Sequence, residues 1–114
     1  MLSIETLFRL DGEVALVTGA GGGLGRIAAL ALAGAGARLA VTDIDGAAAA
    51  TVATEIEAAG GNAQAYHLDV SNRGQVIEVI DRATSELGGL HVLVNNAGIT
   101  RRGPSETMPD EDWD

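Results

Sequence analysis

The sequence predicts an α/β fold built on a doubly wound parallel sheet, and three observations lead there. Four short runs rich in apolar and β-branched residues alternate with three stretches of helical periodicity. The strand runs are apolar over most of their length, as in a sheet covered on both faces. A glycine-rich turn joins the first strand to the first helix. Strands and helices alternating at this spacing require parallel pairing through right-handed crossovers. Sheets of this kind bind ligands outside the carboxyl ends of their strands, where the strand order reverses.

The first strand is "EVALVTG", Glu13–Gly19, ended by its glycine. A helical pattern starts at Leu24, with Ile27, Ala28, Ala31 and Leu32 at three- and four-residue spacing, and Gly34 and Gly36 stop it. "RLAVTDI", Arg38–Ile44, is the second strand. Asp45 is placed to cap a second helix through about Ala59, with Val52 and Ile56 facing inward and Gly60-Gly61 ending it. "AQAYHLDV", Ala63–Val70, is the third strand. Ser71 or Asn72 caps a third helix that carries Val76, Ile80, Ala83 and Leu87 on one face and ends at Gly88-Gly89. "LHVLVNN", Leu90–Asn96, is the fourth strand.

Composition narrows the function. Hydrophobic residues make up 46% and mean hydropathy is +0.19, enough for a core. The formal net charge is −9, and an acidic surface repels phosphate backbones, so nucleic acid is not an expected partner. Charge-free stretches such as Val14–Gly25 and Ile27–Ala37 are too short to span a bilayer. The opening "MLSIETLFRLDGE" lacks the basic-then-apolar layout of a signal peptide. There is no cysteine, which removes disulfides and thiolate metal ligands and is compatible with a reducing compartment. The expectation is a cytoplasmic protein with no membrane partner. His67 and His91 lack ligand-spaced neighbours, so no metal is expected. Arg73 and Arg82 read as surface charges on the third helix. All seven basic residues are arginines, so the chain has no lysine.

The turn "TGAGGGLG", Thr18–Gly25, carries the chemistry. A GxGxxG pattern fails, because Leu24 stands where the third glycine belongs, and a phosphate loop ending in Gly-Lys is excluded by the missing lysine. The pattern that fits is Thr-Gly-x-x-x-Gly-x-Gly, through Gly19, Gly23 and Gly25. Such a turn allows positive φ and lets a pyrophosphate approach the backbone, with the open helix N-terminus offering amides beyond it. Taken alone, it also suits a tight strand-to-helix turn that binds nothing. Its context favours a dinucleotide: Asp43 closes the second strand, where an acid accepts from ribose hydroxyls and repels a 2′-phosphate. Asp45 competes for that role or for the helix cap. No basic residue lies in Ala20–Gly23 to receive a 2′-phosphate. NAD is therefore the expected cofactor, with NADP the alternative.

Two further pieces, "LDV" (Leu68–Val70) and "NNAG" (Asn95–Gly98), line up with the glycine turn. Together these motifs resemble the short-chain dehydrogenase/reductase family over the whole chain after about Phe8. The resemblance implies a Rossmann-type sheet with strand order 3-2-1-4, four strands of a normally seven-stranded sheet. It implies that Asp69 bonds the adenine amino group and Val70 packs on the ring. Asn95, Asn96, Ala97 and Gly98 would pass beside the cofactor ribose and steady the central strand. Thr18, Gly19, Gly21, Gly22, Gly23, Leu24 and Gly25 form the phosphate turn, and Asp43 with Ile44 completes the cofactor-facing set. Many relatives carry Ser-Arg or Ser-Ser where this chain has Gly21-Gly22, which leaves phosphate contacts more dependent on backbone.

The family's chemistry, hydride transfer between nicotinamide and an alcohol or ketone, uses a Tyr-x-x-x-Lys pair, with the lysine lowering the tyrosine's pKa. This chain has one tyrosine, Tyr66, inside the third strand, and no lysine, so no catalytic residue is expected in it. Its end, "MPDEDWD" (Met108–Asp114), reads as the start of a helix near 110, where the family places a Trp-Asp before its catalytic asparagine. The expectation is the N-terminal part of one nucleotide-binding domain of a longer enzyme, inactive alone. The full-length form is expected to be a homo-oligomer acting on a small alcohol or ketone. Arg101 and Arg102 after NNAG resemble sugar-acid dehydrogenases of the gluconate type and would suit a carboxylate. A solvated loop pair is the competing explanation for them. The alternatives are a 3-oxoacyl carrier-protein reductase and a non-catalytic nucleotide-binding module.

Overall fold

A computed structural model describes residues 9–96. The expectations placed on Ala97, Gly98, Arg101, Arg102 and the helix start near 110 lie outside them. The described chain forms β1 (Val14–Thr18), α1 (Gly23–Gly34), β2 (Arg38–Asp43), α2 (Gly46–Ala58), β3 (Asn62–His67), α3 (Arg73–Leu87) and β4 (Val92–Asn95). All strand pairs are parallel and the order is β3-β2-β1-β4, as expected. The strand order reverses at β1, whose neighbours are β2 and β4.

Side chains that alternate along β1 go to opposite faces, and both faces are covered. Ala15 and Val17, with Leu39 and Val41 of β2, meet Ala29 of α1 and Ala49, Val52, Ala53 and Ile56 of α2. Val14 and Leu16, with Ala40, Tyr66 and Leu68, meet Val79, Ala83 and Leu87 of α3. Every residue of β1 is buried, which is why it reads as an unbroken apolar run. Asp45 caps α2 by accepting from the Ala48 amide at 3.1 Å. Asn72, not Ser71, caps α3, accepting from the Gln75 amide at 3.1 Å.

Three expectations need correction. The third strand stops at His67 rather than Val70: its last sheet bond is Leu68 N to Asp43 O, and the Asp69 amide turns to the Gln75 side chain instead. Ile44 also falls beyond its strand and is 65% exposed. The buried face of α1 is not the one drawn from Leu24 and Ile27, which are 70% and 59% exposed. The helix meets the sheet through Gly25 and Ala29, because only small residues fit where the two backbones come this close. A Cβ on Gly25 would lie 2.0 Å from the Gly19 carbonyl oxygen.

Arg82 lies on the surface of α3 with its side chain 55% exposed, as expected, and it also has partners. Its guanidinium lies 5.2 Å from the Tyr66 ring centroid and 4.0 Å from Glu86 Oε2. The Tyr66 hydroxyl donates to Glu86 Oε1 at 2.5 Å. On the opposite face, Arg26 of α1 pairs in a fork with Glu55 of α2, Nε to Oε1 at 3.0 Å and the second nitrogen to Oε2. That pair neutralises a cation placed in the first turn of α1, where the helix dipole disfavours it.

The close approach at Gly25 yields a direct test. Gly25→Ala forces the helix away from the turn and should cost about 1–3 kcal/mol in urea unfolding. Gly22 has extended backbone (φ −175°) and open space around its missing side chain. Gly22→Ala should cost less than about 1 kcal/mol, the loss of a glycine cap only. Equal losses for the two variants would refute the packing account.

Candidate functional site: the glycine turn and its acids

The turn between β1 and α1 lies at the carboxyl end of the sheet and is held from both sides. Gly19 and Gly23 have φ of +60° and +57°, the left-handed conformation expected of a turn that bends back on itself. On the β4 side, the Asn96 amide donates to the Gly19 carbonyl at 3.3 Å. The Thr18 hydroxyl reaches Asn95 Oδ1 at 3.0 Å, and both Thr18 and Asn96 are buried. On the β2 side, Asp43 Oδ2 accepts from the Gly21 amide at 2.9 Å and Oδ1 accepts from the Asp45 amide at 2.8 Å. Of the two roles left open, the structure gives the helix cap to Asp45, while Asp43 braces the turn through the Gly21 amide.

Gly21 leaves no room for a side chain. A Cβ there would sit 2.6 Å from the Ala48 methyl and 2.8 Å from Asp43 Oδ2. Gly22 precedes α1 with no side-chain cap, and the helix has no acidic residue in its first turn. Among the described residues, no side chain caps the first amides of α1, the arrangement that suits an incoming anion.

The second acid is Asp69, in the turn between β3 and α3. Its Oδ1 accepts from the Ser71 hydroxyl at 2.6 Å and the Ser71 amide at 3.0 Å. Those two bonds, the hydroxyl first, hold the Asp69 carboxyl below its ordinary value of 3.8. Val70, beside it, is half-buried, while Ile44 and Leu24 are exposed apolar side chains at the same end of the sheet. Tyr66 points into the core instead. Burial first, and then the Glu86 carboxylate, push its phenol above the ordinary value of 10, away from acid–base work near neutrality.

The structure thus gathers Thr18, the glycine turn, Asp43, Asn95 and Asn96 at one end of the sheet, with Asp69 in the neighbouring turn after β3. Sequence reading missed that Ser71 and Gln75 hold Asp69. Asn72-x-x-Gln75 in the sequence signals the helix start, but Gln75 accepts from the Asp69 amide and not from that of Asn72, so this bond had no sequence signal. Among the described residues, no three His, Cys, Asp or Glu side chains cluster to hold a metal, and no helix is long and apolar enough to cross a membrane.

The family model for short chain dehydrogenases matches residues 13–114. The chain belongs to the short-chain dehydrogenase family. D-threitol dehydrogenase of Mycolicibacterium smegmatis is 39% identical over 99% of this chain and 44% of its own length. A 3-oxoacyl carrier-protein reductase of Thermotoga maritima is 40% identical over 93% of this chain and 43% of its own. Gluconate 5-dehydrogenase of Gluconobacter oxydans is 35% identical over 99% and 44%. The chain thus spans less than half the length of these short-chain dehydrogenases. Among solved structures, a 7α-hydroxysteroid dehydrogenase complexed with NADH and 7-oxo glycochenodeoxycholic acid superposes with a TM-score of 0.78, at 41% identity, over 83% of this chain and 37% of that one. Members of the family use NAD(P)(H), and four parallel strands in this order are their fold.

The Asp69 bonds make a testable statement. A group whose folded pKa is depressed contributes stability above its unfolded value, and that contribution is lost as pH falls through the lower folded value. NMR titration of the Asp69 carboxyl carbon should therefore give a midpoint below 3.8. In Ser71→Ala, which keeps the Ser71 amide bond, the midpoint should move part of the way back toward 3.8, and an unchanged midpoint would show that the Ser71 hydroxyl is not a cause.

Proposed function

We propose that this chain supplies the cofactor-binding half of an NAD-dependent oxidoreductase that moves hydride between nicotinamide and a small alcohol or ketone. One observation carries the reading: a braced glycine turn opens an uncapped helix N-terminus at the carboxyl end of the sheet, with Asp43 beside it. In this reading the pyrophosphate lies against Gly19, Gly21, Gly22, Gly23 and the amides of α1 from Leu24 onward. Asp43 takes the ribose hydroxyls. Its carboxylate has room for about four acceptor bonds and two are already used by backbone amides, so one on each oxygen remains. Asp69 reads the adenine amino group, with Ile44 and Val70 along the ring. Thr18, Asn95 and Asn96, with Ala97 and Gly98 following, frame the ribose on the nicotinamide side. These assignments, with Gly25 at the start of α1, are proposals for the bound state.

Catalysis needs a tyrosine whose phenol is tuned downward by a nearby cation. Tyr66 is tuned the other way and the chain has no lysine, so the acid–base pair is supplied from outside this sequence. The missing lysine also motivates a second reading, a nucleotide-binding module with no chemistry of its own. For the substrate we favour a sugar acid or polyol. Arg101 and Arg102 suit a carboxylate, and the D-threitol and gluconate 5-dehydrogenases are among the relatives. The 3-oxoacyl thioester alternative rests on the reductase relative. We place the protein in the cytoplasm, and its full-length form in a homo-oligomer.

Calorimetric titration of the chain tests the cofactor. NAD should bind at least about tenfold more tightly than NADP, because a 2′-phosphate meets the Asp43 carboxylate. Asp43→Ser should weaken NAD and shrink that ratio to about two- to threefold. Equal or tighter binding of NADP by the unsubstituted chain would overturn the NAD assignment. No binding of either dinucleotide would overturn the binding role itself. Assays of the encoded enzyme against gluconate, threitol and a 3-oxoacyl thioester then separate the substrate classes.

A further inference from the structure

The turn after β3 is more tightly organised than capping α3 requires. Asn72 alone caps the helix, through its bond from the Gln75 amide. The Gln75 side chain then reaches back past the cap to accept from the Asp69 amide at 3.0 Å, and the Asn72 amide donates to the Asp69 carbonyl at 3.0 Å. Ser71 contributes two more bonds, and both go to the same oxygen, Asp69 Oδ1. Both acceptor positions of that oxygen are thereby filled. Among the described residues Oδ2 accepts no hydrogen bond, although the side chain stands at the carboxyl end of the sheet. The helix start needs none of the Ser71 bonds, yet they fix the carboxylate's rotation and leave one oxygen presented.

We propose that Ser71 is a positioning residue for the adenine contact: by occupying Asp69 Oδ1 with its hydroxyl and amide, it aims Oδ2 at the exocyclic amino group. The inference rests on the proposed role of Asp69 as the adenine-reading acid. Gln75 supports the same geometry from the other side by holding the Asp69 backbone. A carboxylate fixed in this way distinguishes a base with an amino donor from one that presents an oxygen. Loss of the Ser71 hydroxyl leaves Oδ1 held by the Ser71 amide alone, which loosens the carboxyl and weakens the distinction more than it weakens dinucleotide affinity.

The probe is nicotinamide hypoxanthine dinucleotide, in which an oxygen replaces the adenine amino group. Titrated against the intact chain, NAD should bind about tenfold more tightly than this analogue, the value of one hydrogen bond to a charged acceptor. Ser71→Ala should reduce that preference to about two- to threefold while leaving affinity for the analogue within about twofold. Ser71→Thr retains the hydroxyl and should restore the preference. Circular dichroism of each variant confirms that the fold is kept. A Ser71→Ala chain that keeps the full preference overturns the proposal and leaves the Asp69 reading standing. A variant that weakens both dinucleotides equally also overturns it, since that is the mark of a loosened turn. If the unsubstituted chain shows no preference, the Asp69 reading fails and the proposal fails with it.

Discussion

The site depends on the absence of a side chain at Gly25. A Cβ there would stand 2.0 Å from the Gly19 carbonyl oxygen and 2.8 Å from the Asn96 amide nitrogen. Without it, α1 begins directly against the end of β1, and its free amides are delivered to the carboxyl edge of the sheet. The same gap lets Asn96 reach the Gly19 carbonyl, which ties the end of β4 to the turn. Asp43 then closes the turn from the β2 side through the Gly21 amide. A loop anchored from both neighbouring strands has little freedom left to lose when a ligand arrives, which is the physical content of preorganisation.

The polar residues around this turn hold the fold and keep capacity in reserve. Asp43 spends one acceptor position per oxygen on backbone amides, and Asp69 spends both positions of a single oxygen. Those are different geometries: the first leaves one acceptor position on each of two oxygens, the second leaves both positions of one oxygen. Tyr66 shows the opposite arrangement. Its one hydroxyl is committed to Glu86, its ring is covered by Arg82, and its body fills the core between β3 and α3. A phenol so placed packs the core and has its one proton engaged with Glu86.

Strand order, helix caps and the glycine turn were legible because each has a local cause. Val14 to Val17 read as a buried strand because both faces are apolar, and Asp45 reads as a cap because its carboxylate meets an orphan amide within one turn. What escaped depended on nonlocal approach. In α1 the larger apolar side chains Leu24 and Ile27 looked like core, although the buried positions are Gly25 and Ala29, which carry little or no side chain to signal it. Arg82 is the surface charge it reads as, but its contact with the Tyr66 ring was not legible, because a strand-to-helix approach brings the two together. The end of β3 was overread because Leu68 stays buried after the strand has ended, so hydrophobicity continues where pairing does not.

Burial across the sheet is uneven, and this bears on how the Asn95–Asn96 end of β4 is held. The residues of β1 are 0–6% exposed, whereas Leu93 of β4 is 58% exposed. Leu93 pairs in register with Leu16 and therefore faces the α3 side, while Val92 and Val94 face α1 and α2 and are only partly covered. Among the described residues β4 has a partner on one edge only. Packing thus fixes β1 and β2 firmly and β4 weakly. The position of Asn95 and Asn96 then relies on directed bonds: Thr18 to Asn95, and Asn96 to the Gly19 carbonyl. Hydrogen bonds of this kind act over a few tenths of an ångström and fix orientation, where a loosely covered hydrophobic face fixes only proximity. The ribose side of the proposed cofactor site is thus tied to the glycine turn itself.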